Sequence, residues 1–223
     1  GAAIVPGAAW IEMGLAAARE LRGEGELVLE DLRFERPLAL PEDGETPVEL
    51  VATPEAGGAW RFEILGETRR EDLDGAVEVE WVRHAAGRIA AARPGASEPW
   101  PPAEGAGPVD VEALYRDYAG LGLEYGPPFR AIATLSRAGD QVVGELRTGA
   151  RAEAYQVHPT LLDAAFQTIR AAGEAELRPG EVFLPFEVDR VRLAARPGAT
   201  ARSRSRVRPA GTGLWADVRL EDA

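Results

Sequence analysis

The sequence predicts an α+β fold made twice over, each unit one apolar helix wrapped by a curled antiparallel sheet. Three observations carry this. Two apolar helices are each opened by a proline, Pro6 and Pro159, 153 positions apart. Each leads into a Leu-rich strand, LVLEDLRF after the first and FLPFEVDRV after the second. The stretches between are short extended segments bounded by Gly, Pro, Asp and Glu. An internal duplication accounts for all three, and the arrangement it describes is a double hot dog, two hot-dog folds in tandem.

The elements follow in order. GAAIVPG ends an apolar run at Pro6-Gly7, and Ala8 to Leu21 reads as a helix with Trp10, Ile11, Met13 and Leu15 apolar and Gly23 as its stop. Extended segments then run through LVLEDLRFERPLAL, PVELVAT, AWRFEILG and AVEVEWVRH. Residues 93–108 hold five Pro and no periodicity, which predicts a surface linker between an N-terminal hot dog over 1–92 and a C-terminal one over 109–223. Val109 to Gly120 reads as a short helix with Leu114, Tyr115 and Tyr118 on its apolar side. FRAIATLSR and QVVGELRT form a hairpin across Ala138-Gly139-Asp140. The second central helix spans 159–173, with Gly173 expected as a left-handed stop, and VFLPFEVDRVRL, TARSRSRVR and LWADVRL close the sheet.

Composition narrows the chemistry. A net charge of −12 argues against nucleic acid as a partner. There is no run approaching the ~20 apolar residues of a membrane span and no leader-like start, so a cytoplasmic protein is expected. With no Cys and only His84 and His158, a thiol nucleophile and a His-rich metal site are both unexpected; all 25 basic residues are Arg, which excludes a Schiff-base lysine.

One residue stands out within the second helix, HPTLLDAAFQTIRAAG. Asp163 and Gln167 are i and i+4, so they share a face about 5–6 Å apart at Cβ, and the Gln amide can orient the carboxyl. Leu162, Ala164, Ala165 and Phe166 would desolvate that carboxyl, raise its pKa and let it keep a proton to donate. Taken alone, the pair is also what a solvated polar stripe looks like.

Four stretches resemble the dehydratase domains of modular polyketide synthases and related fatty-acid synthases. They are Val5-Pro6-Gly7 at the first helix, Tyr125-Gly126-Pro127-Pro128-Phe129, His158 to Gln167 on the second helix, and Leu184-Pro185-Phe186, expected as a strand. The resemblance implies loss of water from a 3-hydroxyacyl thioester to give a 2-enoyl thioester, with the substrate carried on the phosphopantetheine arm of an acyl carrier protein and no further cofactor or metal. It implies Asp163 as general acid and Gln167 as the residue that orients it. The catalytic base would be a His three positions before Gly1, outside this sequence, and His84 does not replace it by motif. Val5, Pro6, Gly7, Tyr125, Gly126, Pro127, Leu184, Pro185 and Phe186 would border the substrate, with a backbone N–H around Val5 to Gly7 stabilising the thioester oxygen and Gly7 letting the substrate approach closely. Tyr125 reads equally as a substrate ligand and as a core aromatic, Pro185 and Phe186 as tunnel wall, and His158 as the cap of its helix. Neighbouring synthase domains and a homodimer are expected partners. The alternating Arg202, Arg204, Arg206 and Arg208 share one strand face that is either solvated or meets an acidic carrier protein. Two other outcomes stay open: an enoyl isomerase or pyran-forming cyclase on the same scaffold, and a non-catalytic hot dog that binds acyl chains.

Overall fold

The computed structural model describes residues 3–71, 77–93, 100, 105–149, 151–173, 184–211 and 213–222. Its elements run β1 (Ala3–Ile4), α1 (Gly7–Arg22), β2 (Leu27–Phe34), β3 (Ala39–Leu40), β4 (Val48–Pro54), β5 (Trp60–Glu71), β6 (Val77–Ala90), β7 (Gly107–Pro108), α2 (Val111–Gly120), β8 (Ile132–Ala138), β9 (Gln141–Arg147), α3 (Pro159–Ala172), β10 (Glu187–Leu193), β11 (Thr200–Ala210) and β12 (Gly213–Asp222). The chain divides into two compact units, Gly1–Pro94 with Pro185–Ala195 and Gly95–Leu184 with Arg196–Ala223. Among the described residues each unit has one five-stranded antiparallel sheet, in the orders β10-β2-β6-β5-β4 and β12-β11-β9-β8-β7. Each sheet is laid against one long helix, α1 in the first unit and α3 in the second, the hot-dog arrangement repeated.

The first unit packs its helix by removing side chains from the contact. A Cβ on Gly14 of α1 would stand 2.9 Å from a Leu29 methyl and 3.0 Å from the Phe62 ring, and one on Gly87 of β6 would stand 2.9 Å from the same ring. Phe62 fills the room both glycines leave, and it is 1% exposed. His84 lies in this core as well, stacked on Trp10 at a 5.9 Å centroid separation, with Nδ1 3.0 Å from the Arg36 carbonyl. That oxygen can only accept, so Nδ1 carries the proton. His84 is thus a packed structural residue, as its commonplace sequence setting suggested.

The second unit reaches the same closeness with small residues. Strand β11 alternates, turning Arg202, Arg204, Arg206 and Arg208 outward and Ala201, Ser203, Ser205 and Val207 inward, all four of the latter buried. Ser205 meets Thr168 of α3 hydroxyl to hydroxyl at 2.6 Å, and Thr168 also donates to the Ala165 carbonyl, so this buried polar pair is satisfied. Gly173 follows α3 with φ −92°, so the expected left-handed stop is absent. Its lack of a side chain serves packing instead, because a Cβ there would lie 2.7 Å from Leu214 Cδ1.

Three further expectations need correction. Strand β10 follows α3 in sequence but pairs with β2, Val188 opposite Leu32 and Leu193 opposite Leu27, so residues 109–223 are not one uninterrupted unit. Of the predicted linker, 94–99 and 101–104 lie outside the described residues, while Gly107 and Pro108 form a short strand against Arg137 and Ser136. Leu184-Pro185-Phe186 is not strand; β10 starts at Glu187, since Pro185 has no N–H to give a ladder. No helix among the described residues is long and apolar enough to cross a membrane.

Because the Phe62 ring occupies space that two glycines vacate, Phe62→Ala leaves a cavity whose glycine walls have no side chains to move in. Denaturant unfolding is expected to show a loss of about 3–5 kcal/mol; a loss under about 1 kcal/mol would mean the helix–sheet contact of the first unit is not built around this ring.

Candidate active site

Helix α3 begins where the sequence says it should. Pro159 occupies its first turn, and His158 caps it, the Nδ1 accepting from the Thr160 N–H at 3.2 Å. Thr160 Oγ1 donates to the same nitrogen at 2.8 Å and lies 3.0 Å from Thr148 Oγ1, while the Tyr155 ring packs edge-on against the imidazole at 4.6 Å. Burial lowers the His158 pKa, which keeps it a neutral acceptor. Its expected role as a cap is what the geometry shows.

Downstream on α3, Asp163 is half-buried between Leu162 and Ala164. Desolvation pushes its carboxyl from 3.8 up to about 6, against the opposing pull of a hydrogen bond from Gln167. That bond runs from Nε2 to Asp163 Oδ2 at 2.7 Å, so the i, i+4 spacing places the two groups as the sequence predicts. Gln167 is itself only 2% exposed, and each end of its amide has a partner: Nε2 also donates to the Phe129 carbonyl at 3.0 Å, and Oε1 accepts from the Tyr115 hydroxyl at 2.9 Å. An N–H that can only donate sits on Oδ2, so a proton on Asp163 resides on Oδ1.

Tyrosines form one wall of the site. Asp110 caps α2 by accepting from the Ala113 N–H, and α2 presents Tyr115 and Tyr118 one turn apart on its buried face. Tyr118 donates to the Gln167 main-chain carbonyl at 3.0 Å. Tyr125 stands edge-on to both rings, at 6.1 Å from Tyr115 and 5.1 Å from Tyr118. Burial raises all three hydroxyls, Tyr115 to about 12, and the Asp163 charge adds to the rise in each. Arg130 lies 4.7 Å over the Tyr115 ring and Arg170 5.5 Å over that of Tyr118. Gly126 leads into the turn Pro127–Phe129, whose last carbonyl is the one Gln167 meets. The second unit therefore brings together Asp163, Gln167, Tyr125 and the Pro127 turn. Tyr115 and Tyr118 were assigned only to the apolar side of their helix; the available signal was that three of the four tyrosines of the chain fall between 115 and 125.

The remaining residues belong to other segments of the chain. Val5, Pro6 and Gly7 open α1 in the first unit, where the Val5 N–H donates to the Leu38 carbonyl at 2.9 Å and Pro6 has none, which leaves Gly7 as the donor among the three. A Cβ on Gly7 would sit 3.1 Å from the Phe34 ring, so a side chain at this position would press on Phe34. Leu184 and Phe186 are exposed at 59% and 72%, and the Phe186 carbonyl accepts from the Phe34 N–H. The arginine face of β11 is not a bare cationic stripe: Arg202 pairs with Glu145, Arg206 with Asp140 and Arg208 with Asp217, while Arg204 and Arg219 flank the Trp100 ring.

Comparison with known proteins gives the setting of this geometry. A family model described as polyketide synthase dehydratase N-terminal domain matches residues 93–223, and one described as polyketide synthase dehydratase domain matches residues 1–67. Mycoketide-CoA synthase of Mycobacterium tuberculosis is 36% identical over 95% of the chain, and spectinabilin polyketide synthase system protein NorB of Streptomyces orinoci is 40% identical over 96%. The chain spans only 5% and 10% of those two proteins. The crystal structure of the dehydratase domain of RzxB from Pseudomonas fluorescens superposes with a TM-score of 0.81 at 30% identity, covering 99% of this chain and 80% of that one. The chain, which carries a half-buried, amide-held carboxyl on the central helix of a hot dog and is matched over nearly its whole length by these proteins, belongs to the polyketide synthase dehydratase domains.

Proposed function

We propose that the chain eliminates water from a 3-hydroxyacyl thioester held on the phosphopantetheine arm of an acyl carrier protein, in the cytoplasm and as a homodimer among neighbouring synthase domains, with Asp163 as the general acid. The observation that carries this is the half-buried Asp163 carboxyl on α3, raised to about 6 and held by Gln167. Removal of the C2 proton by a base sends its electron pair to form the C2–C3 double bond. The C3–O bond breaks, and the departing oxygen takes the proton from Asp163 Oδ1 and leaves as water. The enoyl thioester, water, a protonated base and an Asp163 carboxylate balance the step, and solvent resets both groups.

The other roles follow from what each group has left to give. The base is the histidine that the family resemblance places before Gly1, since His158 is engaged as a cap and His84 is packed in a core. As C2 loses its proton the thioester oxygen gains charge, and the Gly7 N–H at the positive end of α1 is the donor assigned to it. Gln167 orients Asp163, and Tyr125 is assigned to the substrate hydroxyl with Gly126 and Pro127 shaping the turn beside it. Val5, Pro6, Leu184, Pro185 and Phe186 remain assigned to the acyl chain on the resemblance.

Asp163→Asn, in a chain extended to include the upstream histidine, is expected to lower turnover of a matched 3-hydroxyacyl carrier protein by about 10²–10⁴-fold, towards the upper end because hydroxide is a poor leaving group. Turnover at the parent level would remove Asp163 as the acid. In the parent, kcat is expected to fall tenfold per pH unit above the Asp163 pKa of about 6, because only the protonated form donates; a limb that stays flat to pH 8 would exclude this assignment.

Asp163→Asn is expected to move stability in the opposite direction to activity. The folded pKa lies above the unfolded value, so the native state binds the proton more tightly and stability falls as pH rises from roughly 4 through 6. Asp163→Asn escapes this and is expected to be more stable than the parent by about 1–2 kcal/mol at pH 8, with the difference gone at pH 4. Melts at the two pH values check it, and a variant that is less stable at pH 8 contradicts the burial of the charge.

A further inference from the structure

We propose that Tyr115 is a positioning residue of the acid site, whose hydroxyl holds the Gln167 amide in the one orientation that presents an N–H to Asp163. This rests on reading Asp163 as the acid. The two ends of a glutamine amide are nearly equal in size, so shape alone does not choose between them. Chemistry chooses here. The Phe129 carbonyl can only accept, and its 3.0 Å contact therefore fixes the NH2 end toward Phe129 and Asp163. Oε1 then faces Tyr115 at 2.9 Å, and because an amide oxygen cannot donate, Tyr115 must. The Tyr115 oxygen in turn accepts the Ile132 N–H at 3.4 Å.

The result is a chain of donors that all point one way: Ile132 N–H, Tyr115 O–H, Gln167 amide, Asp163 Oδ2. Each bond polarises the next, so the tyrosine strengthens the hydrogen bond that reaches the carboxyl although it does not touch it. Burial keeps Tyr115 protonated up to about 12, and the donor persists across the working range. Arg130, paired with Glu112, sits over the ring and fixes its position.

Tyr118 provides the contrast. Its hydroxyl meets the Gln167 main-chain carbonyl, which holds the helix but leaves the amide free to turn. The other titratable groups near Asp163 are Tyr125, coupled to it through charge, and Arg130 and Arg170 over the tyrosine rings. From the sheet, β11 faces α3 with Ala201, Ser203, Ser205 and Val207, and β8, β9 and β12 contribute Ile132, Leu135, Val142, Leu146, Ala216, Val218 and Leu220, none of which titrates.

The test is a carboxyl titration of Asp163 by NMR on this chain with ¹³C-labelled aspartate, the signal assigned by its absence in Asp163→Asn. A hydrogen bond donated to the carboxylate lowers its pKa, so weakening it raises the midpoint. Tyr115→Phe is expected to raise the midpoint by about 0.5–1 pH unit. Tyr118→Phe, which loses a comparable buried hydrogen bond and serves as the matched control in thermal melts, leaves the midpoint in place. In a Gln167→Ala background Tyr115→Phe adds nothing, because the amide that relays its effect is gone. An unmoved midpoint in Tyr115→Phe, an equal rise in Tyr118→Phe, or the same rise without Gln167 overturns the proposal. The unsubstituted chain supplies an independent check: slow solvent exchange of the Gln167 side-chain amide protons supports a locked amide, and fast exchange overturns it. None of these readings involves turnover, so an Asp163→Asn variant that kept full activity would remove the proposed reaction and leave the Tyr115 result to stand or fall by itself.

Discussion

A carboxyl group in an apolar helix is stable only if the protein replaces the water it loses, and much of the second unit is arranged around that replacement at Asp163. One amide, from Gln167, serves the carboxyl directly. Serving that amide requires a donor and an acceptor of its own, and these come from two separate places: the Tyr115 hydroxyl on α2 and the Phe129 carbonyl at the end of the Pro127 turn. The short helix and the rigid Gly-Pro-Pro-Phe turn thus have a common purpose that neither reveals alone. The compensation is partial, since a carboxyl fully compensated for its lost water would titrate near 4 rather than about 6.

The two units bring a helix close to a sheet by different means. In the first, Gly14 and Gly87 withdraw from a single large ring, Phe62. In the second, β11 lines its inner face with Ala201, Ser203, Ser205 and Val207, and a hydroxyl pair between Thr168 and Ser205 replaces hydrophobic contact at the centre. A duplicated fold need not keep a duplicated core: the requirement is a short separation, and glycine opposite phenylalanine meets it as well as serine opposite threonine does.

Whatever depended on local periodicity was legible in the sequence. Proline at a helix start, apolar residues at helical spacing and the i, i+4 pair of Asp163 and Gln167 all express rules that act within a few residues, and α1, α3 and the Asp163–Gln167 hydrogen bond followed from them. What depended on distant partners was not. Strand β10 carries the same alternation whichever sheet it joins, so nothing in FLPFEVDRV could say that it pairs with β2. Gly173 was read as a left-handed stop, whereas Leu214 occupies the space its missing side chain leaves. Tyr115 read as one more apolar residue of α2, because its hydroxyl has meaning only once Gln167 is opposite.

The return of β10 to the first sheet also sets an order in time. Leu27 finds its partner at Leu193, with α2, α3 and strands β3 to β9 made in between. At roughly 5–20 residues per second on the ribosome, the last strand of the first sheet arrives several seconds after β6, the strand on the other side of β2. For that interval β2 is a sheet edge with unpaired N–H and C=O groups and the buried Leu27, Leu29 and Leu32 along it, the kind of surface that joins other chains. The nascent protein must hold this edge unpaired until α2, α3 and strands β7 to β9 of the second unit have been translated, while β11 and β12 follow only after β10, so neither half completes its fold in the order in which it is written.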